Sequence, residues 1–152
     1  MRTFELNIFI DCKRNKIYDH LSEPINMIGL QPRITEIDVL KKKKDGEGVA
    51  IHPFNTVETF RWLGIPLFRS KVYSAIHLTT PKKELELRVH REGNIEIVFK
   101  YRFHQFNDGR TQITQTMQIV KAGKLLENFV VSQAKQAQRA LLSNLKVRLE
   151  KY

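Results

Sequence analysis

YRFHQFNDGRTQITQTMQI, residues 101–119, consists of two strand-like runs joined at Asn107-Asp108-Gly109. These three residues tolerate positive φ, which a tight turn needs and bulky residues resist. Upstream, Ile95, Ile97, Phe99, Tyr101 and Phe103 alternate with Glu96, Val98, Lys100, Arg102 and His104. Downstream, Ile113, Gln115, Met117 and Ile119 alternate with Gln112, Thr114, Thr116 and Gln118. Such alternation puts one face in a core and the other in water. The register predicts Phe99, Tyr101, Gln115 and Met117 inward, with Lys100, Arg102, Thr114 and Thr116 outward. A slip of one residue would reverse every side chain. The inward face needs a cover from elsewhere in the chain.

The end of the chain supplies one. Residues 124–152 contain neither Gly nor Pro. Leu126, Phe129, Val130, Ala134, Ala137, Leu141, Leu145 and Leu149 recur at three- and four-residue steps. That spacing predicts one apolar stripe on a helix of about 25 residues, roughly 38 Å long. Lys135, Gln138, Arg139, Lys146 and Glu150 are expected on the opposite, wet side. Ala134, Ala137 and Ala140 put small residues at the middle of this helix.

Residues 3–10 alternate as a strand. Ile17, Tyr18 and Leu21 then fall at helical spacing, and Ser22-Glu23-Pro24 offers a cap and a proline suited to a first helical position. A second short helix is expected over residues 25–30, ending near Gln31-Pro32. Strand patterns follow over 34–43, 49–62, 70–80 and 84–91, with Pro53 marking an irregularity or an edge. With residues 3–10 and the two runs of the hairpin, the count is seven strands, six of them consecutive. Leu63-Gly64-Ile65-Pro66-Leu67-Phe68 is apolar but broken by Gly and Pro, which predicts a lid-like loop sheltered over a cavity mouth or against a partner chain.

The 152 residues suffice for one domain, 1–152, with one core. At 41% hydrophobic and 28% charged, the composition is that of a globular protein. The apolar runs are too short to span a bilayer. The start, MRTFELNIFIDC, reads as a strand and not as a leader. A single cysteine, Cys12, excludes an internal disulfide and fits a reducing compartment, so a cytoplasmic location is expected. The net charge of +10 raises an anionic membrane surface or nucleic acid as partners. The charge is scattered, however. The lysines at 41–44 read as a solvated hairpin tip, and no zinc-finger spacing, ribonucleoprotein motif or helix-turn-helix pattern supports nucleic acid.

The order of strand, two short helices, six strands and a long C-terminal helix resembles the START-like, or helix-grip, superfamily. Its members include polyketide cyclase/dehydrase-like, coenzyme Q-binding-like (SRPBCC), pollen-allergen-type and lipid-transfer proteins. The residues that carry the resemblance are the corner IYDHLSEPINMIGLQP, the hairpin quoted above and the helix LLENFVVSQAKQAQRALLSNLKVRL. The resemblance covers essentially the whole chain. It implies an α+β fold: a curved antiparallel seven-stranded sheet wrapped around the C-terminal helix, with two short helices after the first strand. It also implies a cavity between sheet and helix for an apolar or amphipathic ligand. The superfamily hosts carriers, enzymes and regulators on one scaffold, so fold alone does not assign chemistry.

Few residues point to chemistry. His77, His90 and His104 share parity with outward residues; His20 lies in the corner; His52 has the parity of Phe54, Glu58, Phe60 and Trp62. No pair has metal-ligand spacing. Glu58, among aromatics, would be desolvated and so suited to general acid or base work, unless it pairs with a basic residue across the sheet. Tyr101 and Gln115 would be polar anchors on an apolar floor. The expected ligand-lining set is Glu58, Phe60, Trp62, Ser74, Ile76, Leu87, Phe99, Tyr101, Gln115, Met117, Phe129, Val130 and Ala137. No cofactor motif, phosphate loop or nucleophile–base–acid set is present, and Cys12 has no surroundings that argue for a thiolate. Binding of a lipid, quinone or polyketide-like molecule is therefore better supported than catalysis. An aromatase/cyclase-type enzyme using Glu58, His52 and Tyr101 is the first alternative. A basic protein binding anionic membrane or RNA is the second.

Overall fold

A computed structural model of the chain describes residues 2–62, 65–124 and 127–150, and their side chains except those of residues 2, 60–62 and 66–68. Strand β1 (Arg2–Ile10) leads into helix α1 (Arg14–Ser22) and a 3-10 turn (Pro24–Met27). Strands β2 (Ile34–Val39), β3 (Lys43–Lys44), β4 (Ala50–Trp62), β5 (Ile65–Thr80), β6 (Glu84–Arg91), β7 (Ile95–Gln105) and β8 (Thr111–Lys121) follow, then helix α2 (Glu127–Glu150). All strand pairings are antiparallel, in the order β1-β8-β7-β6-β5-β4-β2, with β3 also on β4. The curved sheet and the long helix are the helix-grip arrangement.

The hairpin has the expected register. Tyr101 pairs with Gln115, Phe99 with Met117 and Phe103 with Ile113, and all six are buried. Arg102 and His104 are exposed. At the turn, Phe106 N–H donates to the Arg110 carbonyl at 2.8 Å, and Gly109 takes the left-handed backbone, φ +90°.

Three expectations need correction. The strand expected over 34–43 is two strands, so eight are present among the described residues. The break between β2 and β3 falls opposite Pro53, between the pairs Val39–Phe54 and Lys43–Ile51. Proline has no N–H to offer a neighbouring strand there. The second short helix is a single 3-10 turn that stops at Met27. The apolar loop is largely strand: Ile65 pairs with Trp62, Pro66 with Arg61 and Phe68 with Phe60. Pro66 is tolerated because the ladder shifts register between Phe60 and Arg61, where one donor fewer is needed. The remaining part of that expectation, Leu63 and Gly64, lies outside the described residues.

Helix α2 lies on the inward face of the sheet. Leu141, Leu142, Leu145 and Leu149 join Ile10, Ile17, Leu21 and Leu30 in one core with Phe99, Tyr101 and Ile113. Its last turns are tied down by polar bonds. Lys146 Nζ donates to the Phe9 carbonyl at 2.7 Å, and Asp11 N–H donates to Glu150 Oε1 at 2.9 Å. Arg148 donates to the carbonyls of Asn26 and Ile28 at 2.8 and 2.9 Å. Gly29, at φ +84°, leaves room for that guanidinium: a Cβ there would sit 2.8 Å from Arg148 Nη2. The first turns of α2 are rotated from the expected stripe. Val131 and Gln138 are buried, while Phe129 is 58% exposed.

Candidate functional site

Sheet and helix do not fill all the space between them. An inner cavity of about 50 Å³ lies among Phe54, Val72, Leu87, Val89, Ile97 and Phe99 of the sheet, Met27 and Ile34, and Ala134, Ala137, Gln138 and Leu141 of α2. Ala134 and Ala137 put two small side chains on a wall whose sheet side carries Phe54 and Phe99. An outer pocket of about 200 Å³ is lined by Arg33, Ser70, Glu92, Ile95, Phe129, Val130 and Gln133. Arg91, Ile97 and Ala134 line both, so the two spaces lie side by side with these residues as their common wall.

Two polar clusters punctuate these walls. In the first, Glu58 on β4 is 3% exposed and meets Arg91 on β6 in a two-pronged ion pair. Arg91 Nη2 donates to Glu58 Oε1 at 2.9 Å, and Arg91 Nη1 donates to Oε2. Gln31 Nε2 donates to Oε1 at 2.6 Å, and Gln31 Oε1 in turn accepts from the Arg33 backbone N–H at 2.6 Å. This is the cross-sheet pairing that stood against a free acid–base role for Glu58. Both of its oxygens are engaged, by the Arg91 guanidinium and the Gln31 amide.

In the second cluster, Tyr101 Oη donates to Gln138 Oε1 at 2.7 Å, and Gln115 Nε2 donates to the same oxygen. Burial pushes the Tyr101 phenol far above its ordinary value, so it remains a neutral donor. Gln138 was expected on the wet side of α2. It is 5% exposed because two buried donors on the sheet would otherwise be left without an acceptor.

The expected lining residues therefore divide. Glu58, Ser74, Leu87, Phe99 and Ala137 line the inner cavity. Phe129 and Val130 line the outer pocket, Phe129 at an exposed rim and not in the core. Ile76, Tyr101, Gln115 and Met117 are buried but line neither. The side chains of Phe60 and Trp62 lie outside the described residues. Sequence reasoning missed Arg91, Gln31, Arg33 and Gln138. Arg91 was within reach, since it shares parity with Leu85, Leu87 and Val89 on β6.

The remaining candidates line neither pocket. His52 Nδ1 donates to the Ser22 carbonyl at 2.6 Å and ties β4 to the end of α1. Cys12 is buried, and desolvation pushes its thiol up, away from thiolate chemistry. Residues 41–44 are exposed, as a solvated tip requires. Among the described residues no helix is long and apolar enough to cross a membrane, and no three His, Cys, Asp or Glu side chains converge on a point.

No protein-family model matches the chain, and no curated protein matches it by sequence. Solved structures match over nearly its whole length. An aromatase/cyclase, Zhui from Streptomyces sp. R1128, is 14% identical with a TM-score of 0.75, over 99% of this chain and 94% of that one. Ara h 8.0201 is 14% identical with a TM-score of 0.69, over 99% of both chains. A START superfamily protein from Mycobacterium smegmatis is 11% identical with a TM-score of 0.68, over 98% and 97%. At these identities the likeness is one of fold: the chain has the START-like, helix-grip fold.

Proposed function

We propose that this chain binds an apolar or amphipathic small molecule, such as a lipid, quinone or polyketide-like compound, between its sheet and α2, with residues 1–152 acting as one binding unit. The observation that carries the reading is the inner cavity between sheet and α2, walled largely by apolar side chains, with a larger outer pocket beside it that shares Arg91, Ile97 and Ala134. Such sites are mostly apolar with a few fixed polar groups. Here those groups are Glu58, Arg91, Gln138 and Ser74. Neither space reaches the ~300 Å³ at which typical small-molecule pockets begin, so the ligand is small or slender, or the walls move apart to admit it.

Binding is favoured over catalysis. One of the three solved structures is named an aromatase/cyclase, but a cyclase on this chain would need an uncommitted inward acid or base. Glu58 is held by Arg91 and Gln31, and Tyr101 by Gln138. The +10 charge favours an anionic membrane surface as an accessory partner, over nucleic acid, for which no recognition motif is present. A reducing compartment, the cytoplasm, fits the single buried cysteine. Native mass spectrometry of the purified protein, before and after organic extraction, tests the reading. A retained small molecule that extraction removes supports it. A chain that carries none, and takes up none from a mixed lipid and quinone extract, rules it out.

A further inference from the structure

We infer that the inner cavity takes its ligand by an uncharged carbonyl oxygen, as in a ketone, quinone or ester, which accepts hydrogen bonds from Ser74 and Thr56 on the sheet and from the Gln138 amide on α2. This inference deepens the binding reading above and rests on it.

Spare hydrogen-bonding capacity is the first argument. Ser74 and Thr56 are each 4% exposed, yet among the described residues neither hydroxyl has a hydrogen-bond partner in the protein. Buried hydroxyls are nearly always paired, because an unpaired one has given up its bond to water for nothing. Both residues line the inner cavity, and Gln138 reaches it from α2. Gln138 Oε1 is taken by Tyr101 and Gln115, which turns the Nε2 end of the amide away from them. That end carries two N–H donors and has no protein acceptor among the described residues.

Placement is the second. On neighbouring strands β4 and β5, Ser74 pairs with Phe54 and Thr56 with Val72. The two hydroxyl-bearing residues are therefore diagonal neighbours on the inward face of the sheet. The space between this face and α2 is about 50 Å³, so whatever enters it lies against both walls. A group that displaces water there must replace the water's hydrogen bonds or lose affinity.

Charge is the third. The charged side chains lining this cavity are Glu58 and Arg91, and they pair with each other. An ionised head group would enter without a counterion of its own, at a desolvation cost that a neutral oxygen escapes. The Gln138 nitrogen can only donate. A carbonyl oxygen offers two lone pairs and has no hydrogen of its own to place. The rest of the wall, with Phe54, Val72, Leu87 and Phe99, suits a carbon skeleton.

The test is an NMR titration of the isotope-labelled full chain with three probes. They are 2-heptanone, 2-methyl-1-heptene, in which a methylene replaces the carbonyl oxygen, and heptanoate. The ketone should move the side-chain N–H signals of Gln138 downfield, as a new acceptor does, and the alkene should not. Heptanoate should bind more weakly than the ketone. The ratio of the ketone's Kd to the alkene's is then compared between wild type and Ser74→Ala/Thr56→Val, which cancels the difference in hydrophobicity. The variant should raise that ratio about tenfold. Thermal melting checks that the variant folds. Should it not fold, the Gln138 signals of the wild-type chain still decide. An unchanged ratio, no downfield movement of Gln138 with the ketone, or tighter binding of heptanoate overturns the carbonyl assignment and leaves the cavity reading standing. Failure of all three probes to bind overturns both.

Discussion

Tyr101 Oη and Gln138 Oε1 meet at 2.7 Å across the interface between sheet and C-terminal helix. The sheet contributes a second donor to the same oxygen, from Gln115. Tyr101→Phe removes one of two donors and keeps the ring, so it should lower stability by about 1 kcal/mol. Gln138→Leu strands both donors in a dry interior and should lower it by about 2–4 kcal/mol. Neither Tyr101 nor Gln115 lines the cavity, so Tyr101→Phe should leave ligand affinity unchanged. Chemical denaturation and titration of the same variants check this. A Tyr101→Phe variant of normal stability but altered affinity would contradict the placement.

Glu58 on β4 and Arg91 on β6 hold each other across the intervening strand, with Gln31 as a third partner. Glu58→Leu leaves a partly buried guanidinium without its anion and should destabilise by about 2–4 kcal/mol. Glu58→Leu/Arg91→Leu removes both charges and should recover much of that loss, because apolar pairs commonly replace buried ion pairs at little cost. A double-mutant cycle read by urea denaturation gives the coupling directly. Additive single effects would mean that the pair contributes no mutual stabilisation.

The rotation of α2 separates two residues that helical spacing had put on one stripe. Leu141 is 1% exposed, whereas Phe129 stands at the rim. Leu141→Asp should unfold the domain, since an unpaired buried charge costs more than about 4 kcal/mol. Phe129→Asp should melt within a few degrees of wild type, with a change of about 0.5 kcal/mol or less. Circular dichroism melts distinguish them, and a strongly destabilised Phe129→Asp would return that residue to the core.

Acid should weaken the corner where α1 meets the end of α2. Arg148 Nη1 donates to His20 Nε2 at 3.1 Å, so that nitrogen must carry no proton. Burial, then the charges of Arg148 and Lys16, hold His20 below its ordinary 6.5. Burial and Arg88 do the same to His77. With folded values below the unfolded one, the unfolded chain binds protons first as pH falls. The stabilisation is thus complete above about pH 6.5 and is lost on the way down through the folded values. Tm should decline between about pH 6.5 and pH 5, and His20→Gln/His77→Gln should flatten that decline. An equally steep decline in the double variant would assign it to other groups.

The layers of this protein follow from local pattern. Alternation over 95–119 and a three-to-four residue stripe without Gly or Pro after 124 are consequences of strand and helix geometry, and they survive any tertiary context. For the same reason the inward parity of Glu58, Ser74, Leu87 and Phe99 was readable, and that of Arg91 was there to be read. The rotation of α2 was not. Phe129, Val130 and Val131 are three adjacent apolar residues, compatible with phases about 100° apart. The choice among them came from Gln138 meeting Tyr101 and Gln115, partners far away in the chain that only folding brings together. Gln31 has no periodicity to betray it. Its amide reaches Glu58 because the connection after the 3-10 turn folds back beside β4. The cavity is the least local feature of all. It is the difference between the distance separating two backbones and the length of the side chains between them, and only the fold sets Ala134 and Ala137 on one wall with Phe54 and Phe99 on the other.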